Sequence, residues 1–465
     1  MFADLTRRAF LGRSAGGIGA LALASLLPNG LGAADRASGI ISPRHHQPTA
    51  KRIIYLFQGG GPSHLDLFDY KPGMAALNGQ QMPESLTKGQ QIAQLQGAAL
   101  KVMAPQHAFK KWGKSGMEIS EVLPRIGGVA DELCMIRSMV TEAINHDPAQ
   151  SFMNSGSSIS GRPSMGSWFV YGLGSECENL PGFVVLSSVG GGQGQPIASR
   201  QWSAGMLPSR YQGVPFHAKG DPVLYISRPP GTDAGGQRDV IDAVNQLNVM
   251  HDDVVADPEI ATRINQYEMA FKMQSSVPDL VDFSKEPQHI LDLYGTKGAD
   301  GSFASNCLMA RRLAERGVRF IQCYHRGWDH HGGVKKGTKT TSGLVDQGTA
   351  ALITDLKQRG MLEDTLIIWG GEFGRTPMAQ GDGRDHHIKG FSLFMAGGGV
   401  KAGITHGATD DFGYHAVQDV VSVHDLHATI MHIMGIDHTR LTTRFQGRDY
   451  RLTDVHGNVV KKILR

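Results

Sequence analysis

Cysteine is nearly missing from this sequence: Cys134, Cys177, Cys307 and Cys323 are four among 465 residues. None forms a Cys-x-x-Cys pair, which argues against a zinc ribbon. One disulfide stays open, with no pairing assigned, while Cys307 lies in an amphipathic stretch and Cys323 in a strand-like run, and both read as buried thiols. An excess of charge of one sign is missing too. Lys and Arg total 46 against 43 Asp and Glu, a formal net charge of +3, so neither nucleic acid nor an anionic membrane is an expected partner. Beyond residue 34 no apolar run reaches the roughly 20 residues of a membrane-spanning helix. There is no internal repeat and no low-complexity tract. With 40% hydrophobic and 19% charged residues, global disorder is excluded as well.

Glycine and histidine are what the chain has in quantity. Its 60 glycines exceed the average usage of about 7% and suit a loop-rich enzyme with tight strand-to-helix turns. Of 20 histidines, 11 fall between His325 and His438. Histidine is the commonest metal ligand and the usual acid or base near neutral pH.

Residues 1–34 read as an address. Thr6-Arg7-Arg8-Ala9-Phe10-Leu11 is a twin-arginine motif, followed by an apolar run from Ile18 to Leu27 and by Gly32-Ala33-Ala34 before Asp35. The order of basic pair, apolar run and small-residue exit predicts twin-arginine export to the periplasm or cell exterior. No membrane span is expected once the segment is removed.

The remainder, 35–465, reads as a single α/β domain with a mainly parallel central sheet and helices on both faces. Apolar runs at Arg52–Gln58, Cys134–Met139, Phe183–Ser188, Val318–Tyr324, Thr365–Trp369 and Phe391–Ala396 predict strands. Helical patterns at Pro148–Ser155, Met165–Tyr171, Phe303–Arg316, Leu344–Arg359 and Val421–Met434 alternate with them. A loop-rich and helical insertion is expected at about 189–300, irregular to residue 236 and then helical over Val240–Val249 and Pro258–Met273.

In open parallel sheets, ligands bind beyond the carboxyl ends of the strands. The segments there are Gly59-Gly60-Gly61-Pro62-Ser63-His64-Leu65-Asp66-Leu67-Phe68-Asp69, His325-Arg326-Gly327-Trp328-Asp329-His330-His331-Gly332-Gly333 and Gly370-Gly371-Glu372-Phe373-Gly374-Arg375. Gly383-Arg384-Asp385-His386-His387 precedes the strand at Phe391. Imidazole with carboxylate suits zinc, manganese or iron, whereas all-oxygen sets favour calcium or magnesium. One or two divalent ions are expected, zinc or manganese first, with calcium as an alternative. Arg375 offers a bidentate fork for an oxygen of a tetrahedral anion. Taken singly, Glu372 also fits a helix cap, and Asp66 or Asp69 an Asx turn. His424, His427 and His432 lie on one helix and read as packing residues; His406, His415 and His456 have no assigned role.

These segments, with Asn145-His146-Asp147-Pro148-Ala149-Gln150-Ser151-Phe152-Met153-Asn154-Ser155-Gly156 and the C-terminal histidine-rich helix, resemble the alkaline phosphatase and sulfatase superfamily. The similarity is greatest to its branch of sulfatase-like proteins described as domain of unknown function 1501. It runs from about residue 50 to the C-terminus. The resemblance implies Asp329 with His330 or His331 on one metal, Glu372 where an Asp-His pair serves another, His387 or His386 as a late ligand and Asp66 as the early aspartate. At the position of the superfamily's Ser, Thr or Cys nucleophile stands His146, and a Cys-x-Pro-Ser-Arg formylglycine precursor is absent. His146 is left as nucleophile, acid/base or ligand, with Ser63 and Ser151 as weaker nucleophiles and water as an equal alternative. The expected function is hydrolysis of phosphate or sulfate esters, of small molecules or glycans. The alternatives are a catalytically degenerate scaffold that binds glycans or a protein, and a metal-dependent isomerase or mutase.

Overall fold

Arg52–Gln58 carries five apolar residues in succession, Ile53 to Phe57, and a strand with no polar face has to be covered on both sides. This strand, β1, lies inside the sheet between two others, β5 (Phe320–His325) and β6 (Thr365–Gly370), and runs parallel to both. Gln58 pairs with His325 and Phe57 with Gly370, so the three strands end level. Alternate residues of β1 serve two cores. Ile54 and Leu56 pack with helices α6 (Phe303–Glu315) and α7 (Val334–Gln358), while Ile53, Tyr55 and Phe57 pack with α2 (His146–Ser155), α3 (Met165–Leu173) and α8 (Val423–Ile433).

The computed structural model describes residues 39–190, 192, 194–217, 222–223, 233–255 and 258–465. The twin-arginine segment lies outside them. The other strands of the central sheet are β2 (Leu133–Val140), β3 (Phe183–Ser187), β4 (Val214–Phe216), β9 (Phe391–Gly397), β10 (Ile404–His406) and β11 (Val421–Ser422). The order is β10-β2-β9-β6-β1-β5-β3-β4, with β11 beside β2. Strand β9 is antiparallel to both neighbours and every other pairing is parallel. The fold is therefore α/β, with a mixed, mostly parallel sheet covered on both faces. Helices α4 (Ala234–Val255) and α5 (Pro258–Val281) fall in the expected insertion, and Met273, Val277 and Leu280 of α5 join the core on the α6–α7 side.

Two departures from the sequence reading bear on function. Helix α7 begins ten residues early, at Val334, through a polar stretch without apolar periodicity. Residues to which the sequence assigns no element form a hairpin, β7 (Gly374–Gln380) and β8 (Gly383–His387), turned by Gly381-Asp382 and lying off the central sheet. Its side chains are mostly polar yet buried, so hydrophobic alternation gives no signal for it.

Helix α8 holds the sheet face that carries α2. Ser422 and Asp425 form a capping box at its N-terminus. His424 Nε2 lies 3.0 Å from the Gly156 carbonyl and His427 Nε2 2.9 Å from that of Met153. Both rings donate to the last turn of α2, whose carbonyls lack partners within the helix. The packing role expected of these two histidines is what they perform.

Close approach at the strand ends depends on Gly60. Its φ is +117°, and a Cβ there would stand 2.6 Å from the Asp329 nitrogen and 2.8 Å from that of Trp328. Gly60→Ala is expected to destabilise the protein by about 2–4 kcal/mol through overpacking and backbone strain. A lowered urea midpoint checks this; an unchanged midpoint would contradict it.

Candidate metal centre

Four side chains converge at the carboxyl edge of the sheet. His146 is the first residue of α2, six residues after β2; Asp329 and His331 follow β5; His386 lies on β8 of the hairpin. One ligand atom from each lies within 4.8 Å of all the others. His331 Nε2 is 3.0 Å from His386 Nε2. Asp329 Oδ1 is 3.0 Å from His331 Nε2, 3.2 Å from His146 Nε2 and 3.3 Å from His386 Nε2.

The far side of each ring decides what faces the cluster. His146 Nδ1 is 2.7 Å from Glu372 Oε1, His386 Nδ1 is 2.7 Å from the Ile144 carbonyl, and His331 Nδ1 is 2.5 Å from Gln380 Oε1. Each partner is an oxygen acceptor, and Gln380 keeps its orientation by donating to Gln94 Oε1 at 2.9 Å. The proton of each neutral ring therefore sits on Nδ1, and the Nε2 lone pairs meet around Asp329. This second-sphere pattern is typical of metal-ligating histidine. Four lone-pair atoms so close repel one another unless a cation or proton lies among them. Consistently, His146 Nε2 is buried without a hydrogen bond, and the ring takes up a proton readily. Burial works against its charge, but Asp329 and Glu372 outweigh this and push its pKa up to about 9. For Asp329 burial favours the neutral acid, yet the imidazoles of His146, His331 and His386 around it and the Arg375 charge hold it far below the carboxylate range. Burial lowers His386. The cluster could hold a metal ion, and it is the one such group among the described residues.

Other expected site residues lie around or away from the cluster. Glu372 is fully buried behind His146, accepting from the Gly60 N–H at 3.0 Å and from Gln150 Nε2 at 3.2 Å. It supports a ring instead of joining the ligand set. Arg375 is also fully buried. It donates to the carbonyls of Gly60, Gly61 and Arg384 and to Asp329 Oδ1 at 2.5 Å, so its fork is engaged within the protein and does not face a substrate oxygen. His330 turns away, 3.5 Å from Thr338 Oγ1, and burial pushes it down to about 4.

His387 is separated from His386 by strand parity, because neighbouring side chains on β8 point to opposite faces. It bonds the Tyr414 carbonyl at 2.5 Å, with its ring 6.4 Å from that of His64, and burial pushes it down to about 3. Asp66 is fully buried in an ion pair with Arg384, at 2.8 and 3.3 Å, and accepts from Ser63 Oγ at 2.5 Å and from the Gln106 N–H at 2.7 Å. Its burial favours the neutral acid, but Arg384 and these bonds hold its pKa below the usual value. Asp66 and Ser63, expected as ligand and nucleophile, thus bond to each other, with Asp66 paired to Arg384 and outside the four-residue cluster. Sequence reasoning missed Gln380, Gln150 and the Ile144 carbonyl. A Gly-Asp-Gly turn was the signal for the hairpin that brings Gln380 in, whereas a backbone carbonyl leaves none.

In zinc-loaded protein, His386→Ala and Asp329→Ala are expected to abolish bound metal by elemental mass spectrometry, and His387→Ala to retain it. Asp66→Ala should keep the metal where folded, yet cost about 3–5 kcal/mol in urea unfolding, because Arg384 is left buried and unpaired. Metal lost with His387 but kept without His386 would reverse the assignment.

No helix among the described residues is long and apolar enough to cross a membrane. Among solved structures, the chain is similar to a protein in the alkaline phosphatase superfamily from Vibrio parahaemolyticus, at 8% identity and TM-score 0.35, covering 85% of this chain and 69% of that one. It is similar to a sulfatase from Pseudoalteromonas sp. at 12% identity and TM-score 0.32, covering 84% and 68%. It is also similar to a phosphonate monoester hydrolase from Silicibacter pomeroyi at 12% identity and TM-score 0.31, covering 83% and 73%. Likeness at these scores assigns no activity. No curated protein matches the chain. The family model described as "Protein of unknown function (DUF1501)" matches residues 50–464, nearly the whole chain after residue 49, and the protein belongs to that family.

Proposed function

We propose that this protein is an exported, metal-dependent hydrolase of phosphate or sulfate esters, built as one α/β domain behind a twin-arginine segment at 1–34. The observation that carries the reading is the convergence of three Nδ1-anchored imidazoles on one carboxylate, with their Nε2 atoms turned inward, at the sheet edge where α/β enzymes bind ligands. His146, Asp329, His331 and His386 hold one divalent ion. Zinc or manganese fits three nitrogens and one oxygen better than calcium, which takes six to eight oxygens. When bound, such an ion polarises a phosphoryl or sulfuryl oxygen and acidifies water.

The chain supplies the rest. Arg375 keeps Asp329 ionised and fixes its Oδ1. Phe373 lies with its ring centre 5.0 Å from that of His146 and 4.5 Å from that of His386, and with Ile144, Ala149 and Ile388 it makes a dry wall. Low polarity there strengthens electrostatic contacts with an anionic ester. Asp329 and His331 are the most exposed members, at 17% and 23% of the side chain, so a small-molecule or glycan ester enters past the 326–333 loop. Ser63 is bonded to Asp66 and His146 lies in the ligand set, which favours water as the attacking group over a covalent serine or histidine route.

Purified protein is expected to carry about one zinc or manganese per chain and to hydrolyse a member of a panel of phosphate, phosphonate and sulfate esters. Asp329→Ala and His386→Ala should lose the metal and at least about 100-fold in kcat/KM. Metal without turnover on any ester would favour a binding scaffold. No metal after loading with zinc and with manganese would overturn the reading.

A further inference from the structure

Gln201, after β3, meets Gln150 of α2 beside the site, and the proposed chemistry has no direct use for either. Gln150 and Gln201 are 0% and 1% exposed. Gln201 Nε2 is 2.9 Å from the Pro196 carbonyl and 2.6 Å from Gln150 Oε1; Gln150 Nε2 is 3.2 Å from Glu372 Oε1. Glu372 Oε1 in turn accepts from His146 Nδ1. His146 and Gln150 are four residues apart on α2 and so share a face. Arg200 Nε donates to Asp147 Oδ1 at 2.6 Å, docking the 196–202 segment onto the first turn of the same helix.

We propose that Gln150 and Gln201 are positioning residues that, through Glu372, set the tautomer of His146 and turn its Nε2 to the cation. The inference rests on the reading of the cluster as a metal site. The Pro196 carbonyl sets the direction of the whole chain. A carbonyl only accepts, so the amide NH2 of Gln201 faces both Pro196 and Gln150. Gln150 must then present its oxygen to Gln201 and its NH2 to Glu372. Glu372 Oε1 is held by two donors besides the ring, Gln150 Nε2 and the Gly60 N–H, and cannot swing away from His146. Bonds of this kind behind a metal-ligating histidine typically change metal affinity about 10–100-fold when lost.

The test uses the full chain with 15N-labelled histidine side chains and the variants Gln150→Leu, Gln201→Leu and His146→Ala. Imidazole NMR is recorded without metal at a pH above the His146 titration, and Co(II) binding is followed by visible absorption against a competing chelator. In the wild type, the signal lost in His146→Ala should report a ring protonated on Nδ1. Gln150→Leu should shift that ring toward the Nε2–H form, bind Co(II) about 10–100-fold more weakly and move its visible bands. Gln201→Leu, on a loop and outside α2, should do the same to a smaller extent with an unchanged far-UV spectrum. An unaltered His146 tautomer in both variants, with Co(II) affinity within about twofold of wild type, overturns the relay. A wild type that binds no Co(II) but shows the tautomer shift in the variants sinks the metal reading and upholds the relay.

Discussion

Asp329 Oδ1 is the atom on which the site depends. Three imidazole nitrogens and one guanidinium nitrogen lie within 3.3 Å of it, and each comes from a different stretch of chain or from the far end of the same loop. Asp329 is held by Arg375, and Arg375 is held by the carbonyls of Gly60, Gly61 and Arg384. One guanidinium thereby ties the turn after β1 and the two strands of the hairpin to the carboxylate after β5. A lysine carries one charge centre without this planar fork and cannot make four such bonds in one plane. The geometry explains why a residue suited to an anion clamp is consumed inside the protein: a buried guanidinium needs its hydrogens bonded, and here four of the five meet oxygens.

The hairpin depends on a second buried charge. Arg384 reaches Asp66 and the carbonyls of Met103, Ala104 and Thr376. A buried ion pair gains little net stability over an apolar contact of equal volume, so its value here lies in registry. An apolar core would let a short, polar hairpin slide, and a one-residue slip would exchange His386 for His387 at the cluster. The Asp66–Arg384 pair penalises that slip with an unpaired buried charge. The aspartate that the resemblance offers to a metal lies in this pair, which fixes which histidine reaches the cluster.

Much of this was legible in sequence, and the boundary follows from physics. The unbroken apolar run of Ile53 to Phe57 demands a strand covered on both faces, and β1 has that place. Carboxylates and imidazoles after successive strands converge because parallel strands end at one edge, which brought Asp329, His331 and His386 into the expected set. The choice between His386 and His387 was not legible, since it turns on strand parity in a hairpin with no apolar alternation. Nor was the place of Glu372: a carboxylate bonded to a ring and one bonded to a cation leave the same letter in the sequence. His146 was singled out only because it stands where the resemblance has the superfamily's nucleophile, and the sequence left nucleophile, acid/base and ligand open; the carboxylate and two rings gathered with it show only in the structure.

The three imidazoles are backed by unlike acceptors, and this grades them. His146 is backed by a fully buried carboxylate, His386 by a backbone carbonyl and His331 by a side-chain amide that continues to exposed Gln94. A carboxylate behind an imidazole raises its basicity most; Asp329 and then Glu372 push His146 up to about 9, whereas burial lowers His386. His331 has the least fixed support and the greatest exposure of the three. The rings of α2 and the hairpin are thus backed by a carboxylate and a backbone carbonyl, and that of the loop after β5 by a side-chain amide. A site closed rigidly by four ligands suits a structural ion, whereas a catalytic one keeps a position that can open. Under the proposed function, His331 is the ligand that solvent reaches and the one that would open.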